Sequence, residues 1–263
     1  MSEADGVAQI RLAELPEAVQ TAVAHTRERV AALHAELPRN ELVVWTAGNV
    51  SERVPEVEPP AGEPAVPGLF AIKPSGVSYD ELTPESMVVC TLDGEKIDDG
   101  TPASLQPSSD TAAHAYVYRH MADVGGVVHT HSAYATAWAA RGEPIPCVLT
   151  MMADEFGGEI PVGPFALIGD DSIGRGIVET LRTSRSKAVL MDRHGPFTVG
   201  GDAKAAVKAA VLCEETARTV HIAYQHGTPQ RIEQHLVDSL YERYQNVYGQ
   251  RGGAEEPARE GAE

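Results

Sequence analysis

The chain has 263 residues and a mass of 28.0 kDa, enough to bury one substantial core, and 38 acidic against 21 basic side chains give it a formal net charge of −17. That balance argues against a general nucleic-acid or anionic-membrane binder, so any anionic ligand has to be held by a local pocket. No apolar run reaches the roughly 18 residues of a membrane span, the Met-Ser-Glu-Ala-Asp-Gly start lacks basic and apolar export regions, and Cys90, Cys147 and Cys213 lie far apart without a CxxC spacing; a cytoplasmic protein with reduced core thiols is expected.

Residues 14–37 carry Val19, Val23, Val30, Leu33 and Leu37 at helical spacing and end before Pro38, which predicts an amphipathic helix. Short apolar runs at 42–46, 69–72, 87–91, 126–131 and 188–191 read as strands. Helices are expected at 109–122, 132–141, 171–184, 203–226 and 230–247, the fourth with Val207, Val211 and Val220 as its buried stripe. Residues 52–68 are rich in proline and acid and read as a long surface loop, and 251–263, an acidic tail without large apolar side chains, is expected to be disordered. The alternation points to one α/β layered domain over 1–250. Strand order is not legible, and no G-x-G-x-x-G turn supports a dinucleotide fold.

Chemistry concentrates at Gly125-Gly-Val-Val-His-Thr-His131. Side chains alternate across a strand, so His129 and His131 project from one face while Thr130 points away. His194, after the strand at 188–191, is in a comparable setting, and three imidazoles can make an open catalytic zinc site; His-x-His pairs also arise by chance on half-exposed strands. Three turns could hold an anion: Thr46-Ala-Gly48-Asn49-Val-Ser51, Lys73-Pro-Ser75-Gly76 and Pro107-Ser108-Ser109-Asp110-Thr111. Small side chains admit backbone N–H groups, hydroxyls and an amide donate, Lys73 adds charge, and a helix begins near Ser109. Each is also an ordinary turn or N-cap, and it is their convergence that favours a phosphate.

Together, Gly48-Asn-Val-Ser51, Ile72-Lys-Pro-Ser-Gly76, Pro107-Ser-Ser-Asp110-Thr, Val128-His-Thr-His131, Ala153-Asp154, Arg193-His-Gly-Pro196 and Tyr248-Gly-Gln250 resemble the class II aldolase and L-ribulose-5-phosphate 4-epimerase family, in order from about residue 14 to 250. Asp110, Ala153-Asp154 and Tyr248-Gly-Gln bring the chain nearer the epimerase branch. The resemblance implies a three-layer α/β/α fold with a central, mostly antiparallel sheet, and a homotetramer with active sites between subunits. It implies one zinc per subunit on His129, His131 and His194 with Asp110 as a further ligand. It places a sugar phosphate on Asn49, Ser75, Gly76, Ser108 and Ser109 with Lys73 close by. Carbon–carbon cleavage beside a carbonyl, followed by re-formation with inversion at C4, requires proton-transfer groups on two faces, and the resemblance assigns these to Asp154 and to Tyr248 of the adjacent subunit. Departures are a longer 52–68 loop, a shorter segment from 163 to 186, and Leu240 where the epimerases carry a histidine; His221, His226 and His235 match no motif and read as surface or packing residues. The alternatives to C4 epimerisation of L-ribulose 5-phosphate are a class II aldolase acting on a ketose 1-phosphate and a noncatalytic adducin-like module, the last disfavoured by the complete histidine set.

Overall fold

The computed structural model describes residues 10–58 and 66–247; the expected acidic tail and Tyr248 lie outside the described residues. The first long helix is α1, Glu17–His34, which buries Val19, Val23 and Val30, and the chain turns again in the short α2, Glu36–Arg39. The strand expected at 42–46 is absent. Glu41 and Trp45 take positive φ there, Trp45 is 86% exposed, and the first strand instead begins at the Asn49 of the predicted turn.

Among the described residues seven strands form one sheet: β1 Asn49–Arg53, β2 Leu69–Ile72, β3 Val88–Thr91, β4 Gly126–His129, β5 Val162–Gly163, β6 Ala188–Met191 and β7 Gly195–Gly200, in the order β3-β2-β1-β4-β7-β6-β5. Every pairing is antiparallel except β5 with β6, so the expected mostly antiparallel sheet is what the chain forms. β1 takes Glu52 and Arg53 out of the expected 52–68 loop. β7 escapes the pattern reading because it starts with Gly195-Pro196, residues that ordinarily mark a turn.

Both faces are covered, so β2, β3, β4 and β6 are buried along their whole length. On one face α3, Thr111–His120, and α6, Ser172–Leu181, pack on Phe70, Ile72, Val127, Met191 and Phe197. On the other, α7, Ala203–Tyr224, crosses β4 and β7 and buries Val50 and Val128 with Leu42, Ala206 and Val207. Val127 and Val128 thus serve opposite layers, as strand periodicity requires. Around α7 pack α4, Ala133–Arg141, α5, Thr150–Phe156, and α8, Gln234–Val247, joined by Trp138, Met152, Phe156, Cys213, Val220 and Val237. Leu240 packs against that cluster, so the position functions here as apolar packing. The three cysteines are buried free thiols, and His221, His226 and His235 are exposed. Among the described residues no helix is long and apolar enough to cross a membrane.

Candidate metal centre and anion cavity

The site gathers at the end of β4, where the strand stops at His129 rather than running on to 131. Antiparallel register sets Asn49 of β1 opposite His129, and Phe197 of β7 opposite it on the other side. The hairpin turn between β6 and β7 delivers His194, its left-handed point being Arg193 at φ 57°. Gly195 permits the close approach, because a Cβ there would come 2.7 Å from the Thr130 carbonyl oxygen. Gly48, at φ 82°, is equally constrained, its missing Cβ lying 2.9 Å from the His129 carbonyl oxygen.

Ligand nitrogens of His129, His131 and His194 all lie within 4.8 Å of one another. The His129 ring stacks on Phe197 and its Nδ1 is 3.1 Å from the Pro196 carbonyl, which fixes Nδ1 as the N–H donor and leaves a lone pair on Nε2. That Nε2 is 2.9 Å from His131 Nε2. Two nitrogens sharing a tetrahedral zinc stand about 3.3 Å apart at ordinary Zn–N lengths, so the pair needs only a small spread to chelate. Burial drives the His129 ring down to about 3 against the pull of Asp110, and burial likewise lowers His194, so both are neutral and able to ligate near neutral pH.

Asp110 is the N-cap of α3 by position, yet its side chain makes no capping bond. Instead Asn49 Nδ2 donates to Asp110 Oδ2 at 2.7 Å and to Ser108 Oγ at 2.9 Å. Asp110 Oδ1 and Asn49 Oδ1 are buried without hydrogen-bond partners among the described residues, which fits a bound electrophile or donor in the space they face. Burial opposes the charge on Asp110, but the histidines around it and the Asn49 amide outweigh burial and hold the carboxyl below its ordinary value. Asp110 is not within the tight set formed by the three imidazoles, although it lines the same cavity.

That cavity has a volume of ≈ 290 Å³ and collects all three expected anion turns with the histidines. The second and third turns are zipped together, Ser75 N–H donating to the Gln106 carbonyl and Ser108 N–H to the Lys73 carbonyl. Ser75, Gly76 and Ser109 are exposed toward it while Ser108 is buried. Lys73 is 2% exposed, donates to the Thr46 and Pro74 carbonyls at 3.2 and 3.3 Å, and sits over the Tyr79 ring; burial lowers its ammonium to about 8. It therefore ties the first turn to the second as well as adding charge.

Asp154 does not line this cavity. It lies on α5, where Gln245 of α8 donates to its carbonyl oxygen, and partial burial raises its carboxyl. Two residues of the region carried no motif. Ile168, 53% exposed, forms an apolar wall of the cavity and belongs to a segment with no sequence signature. His114 could have been found, since it stands four residues after Asp110 on a predicted helix and so shares its face. Its Nδ1 is 2.7 Å from Ser51 Oγ, which is 2.7 Å from the Tyr118 hydroxyl, and burial lowers the ring to about 4.

Residues 28–221 match the family described as the class II aldolase and adducin N-terminal domain. L-ribulose-5-phosphate 4-epimerase UlaF of Salmonella typhi is 39% identical over 210 residues, covering 75% of this chain and 84% of that protein. Among solved structures, an L-fuculose 1-phosphate aldolase superposes with a TM-score of 0.72 at 22% identity, covering 84% of this chain and 96% of its own. YgbL of Klebsiella pneumoniae gives 0.67 at 27% identity, covering 83% and 98% respectively. With three quarters of its length matched in this way, the chain belongs to the class II aldolase and adducin N-terminal domain family.

Proposed function

We propose that the protein is a zinc-dependent sugar-phosphate epimerase that inverts C4 of L-ribulose 5-phosphate to give D-xylulose 5-phosphate. The observation that carries the reading is the convergence of three imidazoles and the Asn49–Asp110 pair in one cavity with the Ser75-Gly76 and Ser108-Ser109 turns. The 39% identity to an L-ribulose-5-phosphate 4-epimerase favours this substrate over the ketose 1-phosphate of an aldolase, since the solved aldolase at 22% identity speaks for the fold alone.

His129, His131 and His194 would hold the metal, with Asp110 at its flank. When bound, zinc supplies Lewis acidity that polarises the ketose carbonyl and offsets the charge left when the C3–C4 bond breaks. The chain's own groups do the rest. Ser75 and Ser109 hydroxyls and the Gly76 N–H bind the phosphate, and the buried Lys73 contributes positive potential in an otherwise acidic protein. Asn49 holds Asp110 in place through its amide, so the carboxylate cannot rotate to cap α3. Asp154 and Tyr248 act as acid and base on opposite faces of the C4 oxygen, taking its proton on cleavage and returning one after the aldehyde has turned over. Because Asp154 lies away from its own subunit's cavity lining, both groups are assigned to a site shared with a neighbouring subunit of a homotetramer.

The test is to load the metal-free protein with zinc, supply L-ribulose 5-phosphate and, in parallel, L-fuculose 1-phosphate and L-rhamnulose 1-phosphate, and identify products by NMR. D-xylulose 5-phosphate as the sole product supports epimerisation; dihydroxyacetone phosphate and free lactaldehyde from the 1-phosphates would replace it with the aldolase reading.

A further inference from the structure

Outside the cavity, α4 carries an unusual N-terminal cap. Ser132 is the N-cap residue by position, with extended backbone, but its hydroxyl caps nothing. The task falls to Glu214, from the middle of α7. Its Oε1 accepts from Tyr134 N–H and its Oε2 from Ala135 N–H, both at 2.9 Å. Those are the amides at the second and third helical positions, the two that an N-cap side chain ordinarily takes. A carboxylate with one oxygen on each amide also meets the positive end of the helix dipole.

The helix so fastened touches two of the three imidazoles through the main chain. At its start, His131 directly precedes Ser132. At its other end, the Ala139 carbonyl accepts from Arg193 N–H at 2.9 Å, and Arg193 holds the left-handed conformation that turns the chain into His194. A rotation or slide of α4 would move His131 and, through Ala139, His194. His129 is anchored separately, on β4 and by the Pro196 carbonyl.

We propose that Glu214 is a positioning residue of the metal centre: by clamping the start of α4 to α7, it sets the distance and angle of His131 and His194 relative to His129. This rests on the reading of the three imidazoles as a metal site.

The experiment titrates cobalt(II) alone into metal-free wild type, Glu214→Ala, Glu214→Gln and Val23→Ala, following visible absorption for coordination geometry and apo thermal unfolding for stability. Val23 is buried on α1 in a cluster with Val54 and Leu69, remote from α4, and controls for general destabilisation. Loss of the cap is expected to lower the apo Tm of Glu214→Ala by about 2–4 °C. It is also expected to weaken cobalt binding about 10–100-fold, as loss of outer partners of metal ligands does, and to alter the band shape. Glu214→Gln keeps one acceptor and falls between; Val23→Ala loses Tm but binds cobalt like wild type. Cobalt affinity within about twofold of wild type in Glu214→Ala, or an equal loss in Val23→Ala at matched Tm, overturns the proposal. If Glu214→Ala does not fold, wild-type affinity and band shape in Glu214→Gln overturn it. A wild type that binds no cobalt overturns the metal reading itself, and this inference with it.

Discussion

Replacing His34 with Gln is expected to blunt the acid sensitivity of the fold. His34 ends α1, is 1% exposed, and links that helix to the strand carrying Asn49: its Nδ1 lies 2.7 Å from the Val30 carbonyl and its Nε2 accepts from Val50 N–H at 2.9 Å. A second proton would put N–H against N–H, and burial drives the ring from 6.5 to about 3, with the Val30 carbonyl pulling weakly the other way. The folded value lies below the unfolded one, so the unfolded chain takes up the proton first. The stabilisation is complete above the unfolded value and is lost as pH falls from there toward the folded value. At about pH 5.5, one unit below the ordinary histidine, each such ring costs about 1.4 kcal/mol. His114, lowered to about 4, and His129, lowered to about 3, add equal amounts, so these three rings alone should cost the metal-free protein about 4 kcal/mol between about pH 7.5 and 5.5. Urea unfolding of chelator-treated protein at the two pH values measures this directly. His34→Gln is expected to start about 1–3 kcal/mol less stable, through the weakened Val50 bond, and to lose about 1.4 kcal/mol less than wild type on acidification. An identical acid loss in variant and wild type would refute the reasoning.

The other expectations concern the site. His129→Asn and His131→Asn should remain folded and lose stoichiometric zinc by elemental analysis; zinc retained at one per subunit in the double variant contradicts the ligand set. Ser75→Asp or Ser109→Asp puts charge at the proposed phosphate site and removes a donor, which should cost about 2 kcal/mol or more of sugar-phosphate binding by calorimetry with zinc content unchanged. Tyr248→Phe should lower kcat about 10²–10⁴-fold at unchanged zinc content. Mixed tetramers with His129→Asn subunits should recover activity, by pairing an intact metal site with an intact tyrosine across an interface; confirmed hybrids without recovery would place both groups in one chain.

Much of this site is readable in the linear chain because its parts are local. His129 and His131 obey strand periodicity even though the strand ends at the first of them, and Lys73 to Gly76 and Pro107 to Thr111 are contiguous turns. The helices at 132–141, 203–226 and 230–247 emerge within a few residues because their apolar spacing repeats over several turns. What fails is whatever depends on distant partners. The apolar run at 42–46 has strand composition but no neighbour to pair with, since β1 meets β2 and β4 only from Asn49 onward. β7 begins with Gly and Pro and is a strand because β4 and β6 flank it on both sides. Asp154 looks like a turn residue before two glycines, yet α5 forms there because Met152, Ala153 and Phe156 have α7 and α8 to pack on. Glu214 is one more acidic residue on a long helix until α4 is seen starting on its carboxylate.

The most direct test of the central claim is to run the reaction in D2O. Cleavage and re-formation of the C3–C4 bond inverts C4 without touching its C–H bond, whereas inversion by proton removal from C4 exchanges that hydrogen with solvent. The zinc-loaded protein is predicted to convert L-ribulose 5-phosphate to D-xylulose 5-phosphate with protium fully retained at C4 by NMR. Deuterium at C4, or no D-xylulose 5-phosphate at all, would contradict the account.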